Sequence, residues 1–389
     1  MPQLVPHDIC TACGACMSIC PQKAINMRAD RSGSLYPEID SSLCIECNLC
    51  KKNCPIENSC DYNYPQKCYA AWNVIDEERK TSASGGIAIA MYEYALKHEF
   101  VCIGAVQEAD FSVVHKIARK KYELKAFKNS KYVFSNAYDV FPEVKHLLRQ
   151  KQNIIVIGLP CQIAAFRKLF PKFENLLLID IVCHGSVPTI YLQQHIHALE
   201  VEHKQKASRM SFRAPEKGTA TYHFTLYNNK GDLFYSKRSI DGDKYNIAFH
   251  RAIAYRENCY KCNFARPERV SDITLGDYHG LGIKQSCTYT QDEVSVILAN
   301  TYKGLQFVEQ LKSDGCIHAE QRLVEEPIMG DAQLRRPSPK SIQRYDFETY
   351  LVKTNGNFEV SMNNVLKKQR RREKIEHIKN ILSKFKPKQ

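Results

Sequence analysis

Cys10-Thr11-Ala12-Cys13-Gly14-Ala15-Cys16-Met17-Ser18-Ile19-Cys20-Pro21 is repeated, 34 residues further on, by Cys44-Ile45-Glu46-Cys47-Asn48-Leu49-Cys50-Lys51-Lys52-Asn53-Cys54-Pro55. Each copy reads C-x2-C-x2-C-x3-C-P. A 4Fe-4S cube needs a thiolate at each of its four irons; a tight loop of this spacing wraps three, and the fourth must come from elsewhere. The reading therefore places Cys10, Cys13, Cys16 and Cys54 on one cluster, and Cys20, Cys44, Cys47 and Cys50 on a second. Structural zinc and chance are the competing readings, and two copies with identical spacing and a matching proline weigh against both. The repeat delimits an N-terminal two-cluster domain, residues 1–58. The polar stretch Ser59–Gln66 reads as a linker.

Outward from this repeat, 389 residues allow two or three domains and a sizeable core. Hydrophobic residues at 44% and charged residues at 25% exclude wholesale disorder. The longest apolar runs, Asn153–Leu159 and Leu176–Val182, fall far short of the roughly 20 residues that span a bilayer. Met1–Ile9 carries no basic and apolar export signal, so the expectation is a cytoplasmic protein without a transmembrane segment. The 17 cysteines then speak for metal ligation rather than disulfides. The formal charge of +13 is concentrated at the end, where Lys367–Gln389 holds ten Lys/Arg against Glu373 and Glu376.

Between these ends, short apolar runs alternate with helix-like segments. Strands are expected at Cys68–Trp72, Val101–Val106, Ile154–Ile157 and Leu176–Val182. Helices are expected at Ile87–His98, Val140–Arg149, Gln162–Phe170 and Thr189–His203. Met210–Arg213, Tyr222–Tyr227 and Leu233–Tyr235 surround an Asn228–Gly231 turn and read as antiparallel hairpin structure. Strands Ile273–Leu275 and Val294–Ala299 and helix Lys303–Leu311 follow. The fold class expected is α+β, with a partly parallel sheet and a C-terminal basic helix over Phe358–Phe385.

Cys161 and Cys183 each follow one of these strands. If the two strands are parallel neighbours, both thiols lie at the carboxyl edge of one sheet, where α/β proteins bind ligands. Cys259 and Cys262 can complete a third cluster; zinc and unrelated cysteines remain alternatives. Cys60, Cys68, Cys102, Cys287 and Cys316 have no partners at ligand spacing and read as structural or free thiols. In Thr81–Gly86, Ser82 and Ser84 can cap the following helix, and Gly85 and Gly86 allow close backbone approach. Such a turn can cradle a phosphate, or be an ordinary helix start. His184, Asp272, Asp277 and His279 are placed near the same edge as candidates to orient a ligand or carry a proton. No G-x-G-x-x-G stands at dinucleotide-binding spacing.

Taken in order, Ser82–Gly86, Ser130-Lys131-Tyr132-Val133, Gly158-Leu159-Pro160-Cys161-Gln162, Cys183-His184-Gly185, Cys259-x2-Cys262 and Ser271–Asp277 resemble the family of coenzyme F420 hydrogenase/dehydrogenase beta subunits. The resemblance covers residues 67–350, with the two-cluster domain fused in front and a basic tail, 351–389, behind. It implies FAD binding, with Ser82, Ser84, Gly85, Gly86, Gly158 and Pro160 as cofactor contacts. It also implies a 4Fe-4S cluster on Cys161, Cys183, Cys259 and Cys262, and an organic acceptor such as coenzyme F420. The sequence departs from the family at Leu159, at Ser186-Val187-Pro188 and at Tyr278-His279-Gly280, where an aromatic surface gives way to an imidazole.

The expectation is an iron–sulfur flavoprotein oxidoreductase moving electrons between 4Fe-4S clusters and a small or pigment-like acceptor through FAD. His184, Asp277 and His279 are its candidate catalytic residues, and a redox protein or ferredoxin its partner. The alternative is a non-catalytic iron–sulfur electron-transfer subunit of a larger redox complex. The basic tail reads as a helix docked on its own domain or on an acidic partner rather than on nucleic acid, because Ile375, Ile378, Ile381 and Leu382 give it an apolar stripe.

Overall fold

The computed structural model describes residues 2–290 and 292–384, with side chains described as far as residue 380. β1 (Ile25–Ala29) and β2 (Leu35–Ile39) form a hairpin between the two cysteine loops. The body is a mixed sheet. It takes β3 (Lys67–Asn73), β4 (Val101–Gln107), β5 (Val113–Ala118), β6 (Ser135–Asn136), β7 (Ile154–Gly158) and β8 (Leu176–Ile181) from the first part of the chain. β9 (Arg209–Ser211), β10 (Phe224–Tyr227) and β11 (Leu233–Lys237) make a separate antiparallel sheet. β12 (Ile273–Asp277), β13 (Ser295–Ala299) and β14 (Ile317–Arg322) return to the first sheet, whose order is β14-β3-β13-β12-β8-β7-β4-β5-β6.

β4, β7, β8 and β12 are mutually parallel, and their carboxyl ends share one edge. A strand buried on both faces must be apolar at every position, which explains the continuous runs Ile154–Ile157 and Leu176–Ile179. Ile154, Val156, Leu176 and Leu178 pack against helices Phe141–Arg149 and Pro160–Leu169. Ile155, Ile157, Leu177 and Ile179 face helices Ile87–Lys97 and Tyr302–Ser313. Burying each such side chain contributes about 1.5–3 kcal/mol. The strand edge is therefore a rigid platform for the loops that leave it.

Three features differ from the sequence reading. Ser59–Gln66 is no free linker: Cys60 is buried in the sheet's lower core, and Asn63 and Arg269 exchange backbone hydrogen bonds of 2.9 and 2.8 Å. β5 and β14 carry no strand signal in the sequence, because Val113–Ala118 and Ile317–Arg322 interleave His, Lys, Glu and Gln among their apolar residues. Asp272 precedes β12 and Asp277 ends it, so the two lie at opposite ends of a strand that rises about 3.3 Å per residue. Asp272 is buried among Leu178 N, Arg167 and Thr301, away from the carboxyl edge.

The C-terminal helix runs Phe358–Lys384, and Phe385 lies outside the described residues. It docks on the body through the buried side chains of Phe358, Met362 and Val365, and Lys368 and Arg372 pair with Asp346. Beyond that clasp Ile375 and Ile378 are each 55% exposed, while the side chains of Ile381 and Leu382 lie outside the described residues. No described helix is long and apolar enough to cross a membrane.

Candidate functional site

Each cysteine loop is wound by two left-handed residues at equivalent places, Ala12 (φ 53°) and Gly14 (φ 78°) in the first, Glu46 (φ 56°) and Asn48 (φ 58°) in the second. Alternation of left- and right-handed residues turns successive N–H groups inward, a concavity that suits anions and iron–sulfur centres. Cys10, Cys13 and Cys16 converge on one small cavity together with Cys54. Cys44, Cys47 and Cys50 converge on another together with Cys20. The crossing of the last cysteines follows from the two-fold relation of the loops. The second quartet lies at the surface, with Cys47 exposed beside exposed Leu43 and Ile45.

A third small cavity is lined by Cys161, Cys183, Cys259 and Cys262. Cys161 opens the helix after β7, Cys183 stands two residues past β8, and Cys259 and Cys262 come from the turn Glu257–Cys262. Burial and the neighbouring thiols push Cys262 up to about 11, and Cys161 and Cys183 are raised as well. Four crowded thiols in a dry pocket resist ionisation, and a bound cation reverses that by stabilising the thiolates. Arg256 and Arg269, each 2% exposed, line the same cavity and supply positive charge for a net-negative group. Arg256 also donates to Thr11 O and Leu35 O, at 2.9 Å each, and so ties the N-terminal region to the body. The residues present fit a 4Fe-4S centre in each quartet.

The large cavity, about 780 Å³, opens at the carboxyl edge. Ser82, Ser84, Gly86, Gly158, Lys131, His184, Asp277 and His279 line it, but Gly85 and Pro160 do not. Pro160 faces the third cysteine cavity instead. Gly85 serves the packing of the turn against the sheet, since a Cβ there would stand 2.5 Å from Ala71 O, and its N–H donates to Ser295 Oγ at 2.9 Å. The expected serine cap is also absent. The N-cap of helix Ile87–Lys97 is Gly86 (φ 72°), because Ser84 Oγ is committed to Val294 O at 2.9 Å. The first N–H groups of that helix are left for a ligand in the cavity, where an anion is favoured. Ser82 Oγ and His115 Nε2, on residues 4% and 3% exposed, are buried on the cavity wall without a partner. Orphaned polar groups of this kind cost about 1–3 kcal/mol each unless a ligand engages them. A flavin-sized nucleotide fits this lining.

The sequence reading missed what surrounds Asp277. Arg213 grips its carboxylate through both terminal nitrogens (2.9 and 3.2 Å), and Tyr222 donates to it at 2.8 Å. Burial opposes that charge, but Arg213 and Tyr222 outweigh it and hold the carboxyl below its ordinary value. Asp277 is thus a fixed anion and a poor proton carrier near neutral pH. His184 is lowered by burial within the cavity, and His115 and His250 are lowered to about 4. Lys131, pushed down by burial to about 7, donates to the carbonyls of Ala126, Lys128 and Asn129. Arg213, His115 and His250 belong to no spacing motif, so no local signal marked them.

Comparison with known proteins agrees with this geometry. Residues 151–323 match the family model for the C terminus of the coenzyme F420 hydrogenase/dehydrogenase beta subunit, and residues 9–58 match the 4Fe-4S dicluster domain. The F-type component of the F(420)H(2) dehydrogenase of Methanosarcina mazei is 23% identical over 195 residues, 47% of this chain and 56% of that one. The coenzyme F420-dependent sulfite reductase of Methanocaldococcus jannaschii is 27% identical over 175 residues, 43% of this chain and 26% of that one. The chain thus spans about half of one curated relative and a quarter of the other. A chain of the F420-reducing [NiFe] hydrogenase complex from Methanosarcina barkeri overlays with a TM-score of 0.42 at 17% identity, covering 80% of this chain and 94% of that one. The chain belongs to the family of coenzyme F420 hydrogenase/dehydrogenase beta subunits and carries a 4Fe-4S dicluster domain at its N-terminal end.

Proposed function

We propose that this chain is an iron–sulfur electron-transfer subunit of a larger redox complex. Cys10, Cys13, Cys16 and Cys54 hold one 4Fe-4S cluster, Cys20, Cys44, Cys47 and Cys50 a second, and Cys161, Cys183, Cys259 and Cys262 a third. One observation carries the reading: the sites share walls. Cys13 lines both the first N-terminal cavity and the third cysteine cavity. Cys183, His184, Gly185 and Ser186 line both the third cysteine cavity and the large one. The exposed Cys20/Cys44/Cys47/Cys50 quartet is the face for a redox partner protein or ferredoxin.

The large cavity favours a second, finer reading, in which it holds FAD. Ser82, Ser84, Gly86 and the open start of helix Ile87–Lys97 would take the phosphates, and Gly158 would admit the ring system close to the sheet edge. Clusters supply one-electron transfer, and a flavin couples it to two-electron chemistry on an organic acceptor such as coenzyme F420. This chain's contribution is to exclude water, to hold Asp277 charged through Arg213, and to present His184 and His279 to the acceptor.

Iron and released flavin per chain, measured after anaerobic purification, test both readings. About twelve iron atoms support three clusters, and one FAD adds the flavin reading. About twelve iron atoms without flavin leave the electron-transfer subunit alone, and about eight refute the third cluster. Reduction of coenzyme F420 by the dithionite-reduced, fully loaded protein tests the acceptor; inactivity excludes that coenzyme.

A further inference from the structure

We propose that His184, His279 and Asp331 form a binding site for a divalent first-row transition-metal cation, of the zinc or ferrous-iron class, on the wall of the large cavity. The three side chains come from three loops: the one after β8, the one after β12, and the start of the turn Ala332–Leu334. One ligand atom from each lies within 4.8 Å of the other two. His184 Nε2 stands 3.9 Å and His279 Nε2 4.0 Å from Asp331 Oδ2. These separations are too long for direct hydrogen bonds. They are close to what a guest between them requires, since metal–ligand bonds of about 2.0–2.2 Å set ligand atoms about 3.0–3.6 Å apart. A small inward movement of two half-exposed rings closes the difference.

The carboxylate is already aimed. Asp331 is 5% exposed, and its Oδ1 accepts the Gln333 N–H at 2.9 Å, which leaves Oδ2 towards the histidines. A supporting hydrogen bond of this kind orients ligating carboxylates in built metal sites. The loops are fixed as well. Gly280 (φ 83°) and Gly330 touch backbone to backbone: a Cβ on Gly330 would stand 2.2 Å from His279 O. Ser338 Oγ donates to His184 O at 2.8 Å and holds the third loop.

Two imidazoles and one carboxylate suit divalent transition metals better than magnesium or calcium, which prefer all-oxygen sites. All three residues line the large cavity, so the remaining coordination positions face the space where an organic ligand binds. The cation would anchor an anionic oxygen of that ligand. The proposal is independent of the electron-transfer reading, because none of its ligands is a cysteine.

The test uses the full chain, purified anaerobically with its iron content verified, equilibrated with zinc chloride and dialysed. Zinc per chain is counted by plasma mass spectrometry and its neighbours are read by X-ray absorption at the zinc edge. His279→Gln removes one ligand at a half-exposed position. Asp331→Asn keeps an acceptor for Gln333 N–H while removing the charge. One zinc per chain, with nitrogen and oxygen at about 2.0–2.1 Å and loss of at least tenfold in affinity in both variants, is the expected result. Zinc on sulfur at about 2.3 Å, no zinc uptake, or equal uptake by the parent chain and either variant overturns it.

Discussion

The N-terminal cysteine quartets and the third quartet do the same chemical job by opposite constructions. In residues 1–58 each cavity takes three cysteines from one seven-residue loop and a fourth from the other copy, with left-handed residues at matched positions setting the winding. The third quartet takes Cys161, Cys183, Cys259 and Cys262 from three segments that meet only because β7 and β8 are parallel neighbours and Arg256 pins the cysteine-bearing turn against the N-terminal region. The first construction is encoded in local spacing, and the second depends on the whole sheet. A local motif tolerates changes in the body around it; an assembled one does not.

The largest effect that sharpens this contrast is expected from Cys161→Ser. Iron should fall by about four atoms per chain while the dicluster signals persist, and reduction of any ligand in the large cavity should slow at least a hundredfold. Loss of all iron would break the distinction, since it would mean that the N-terminal clusters depend on the third.

A second break point is His195, which ties the C-terminal helix to the rest of the body. It is 2% exposed, and its ring nitrogens meet Asp243 Oδ2 at 2.9 Å and Glu359 Oε1 at 2.5 Å, with Lys244 on Glu359 and Tyr235 on Asp243. Burial disfavours its charge, but the two carboxylates outweigh that and raise its pKa from 6.5 to about 9. A raised folded-state pKa contributes stability that is complete below the unfolded value and is lost as pH rises through the folded one. Thermal melts should therefore show the body losing stability between pH 6.5 and 9. His195→Gln should remove that slope and cost about 3–5 kcal/mol, because it leaves buried carboxylates without their cation.

Smaller effects probe the large cavity and the tail. Ser82→Ala should weaken flavin binding about three- to tenfold without changing iron content, read by flavin fluorescence in a dialysis titration. Unchanged affinity would take Ser82 out of the cofactor site. Asp346→Asn releases Lys368 and Arg372 and should cost about 1 kcal/mol or less, fading at high salt, by thermal melts at two ionic strengths.

Much of the strand and helix order was legible because parallel strands buried on both faces read as uninterrupted apolar runs. β5 and β14 were not, since half-polar strands near a sheet edge carry no such run. The phosphate cradle was legible as a Ser/Gly turn, but its internal roles were not. Only packing shows that Ser84 is bound to Val294, that Gly85 is held against Ala71, and that the uncapped helix start is what the cavity receives. Asp272 and Asp277 are close neighbours in sequence and equal as candidates; strand direction alone separates them.

The dicluster motif and the crossed pairing of its cysteines are written in the residue order, because a cluster loop is a short-range object whose spacing is its geometry. The parallel core is written there too, because burial on two faces leaves its mark on every residue of a strand. Folding in three dimensions was needed to bring Cys259 and Cys262 to Cys161 and Cys183, to grip Asp277 with Arg213, and to set Asp331 opposite His184 and His279. Those contacts join residues tens to more than a hundred positions apart, and no local pattern constrains residues whose meeting depends on how the sheet and its loops close around one another.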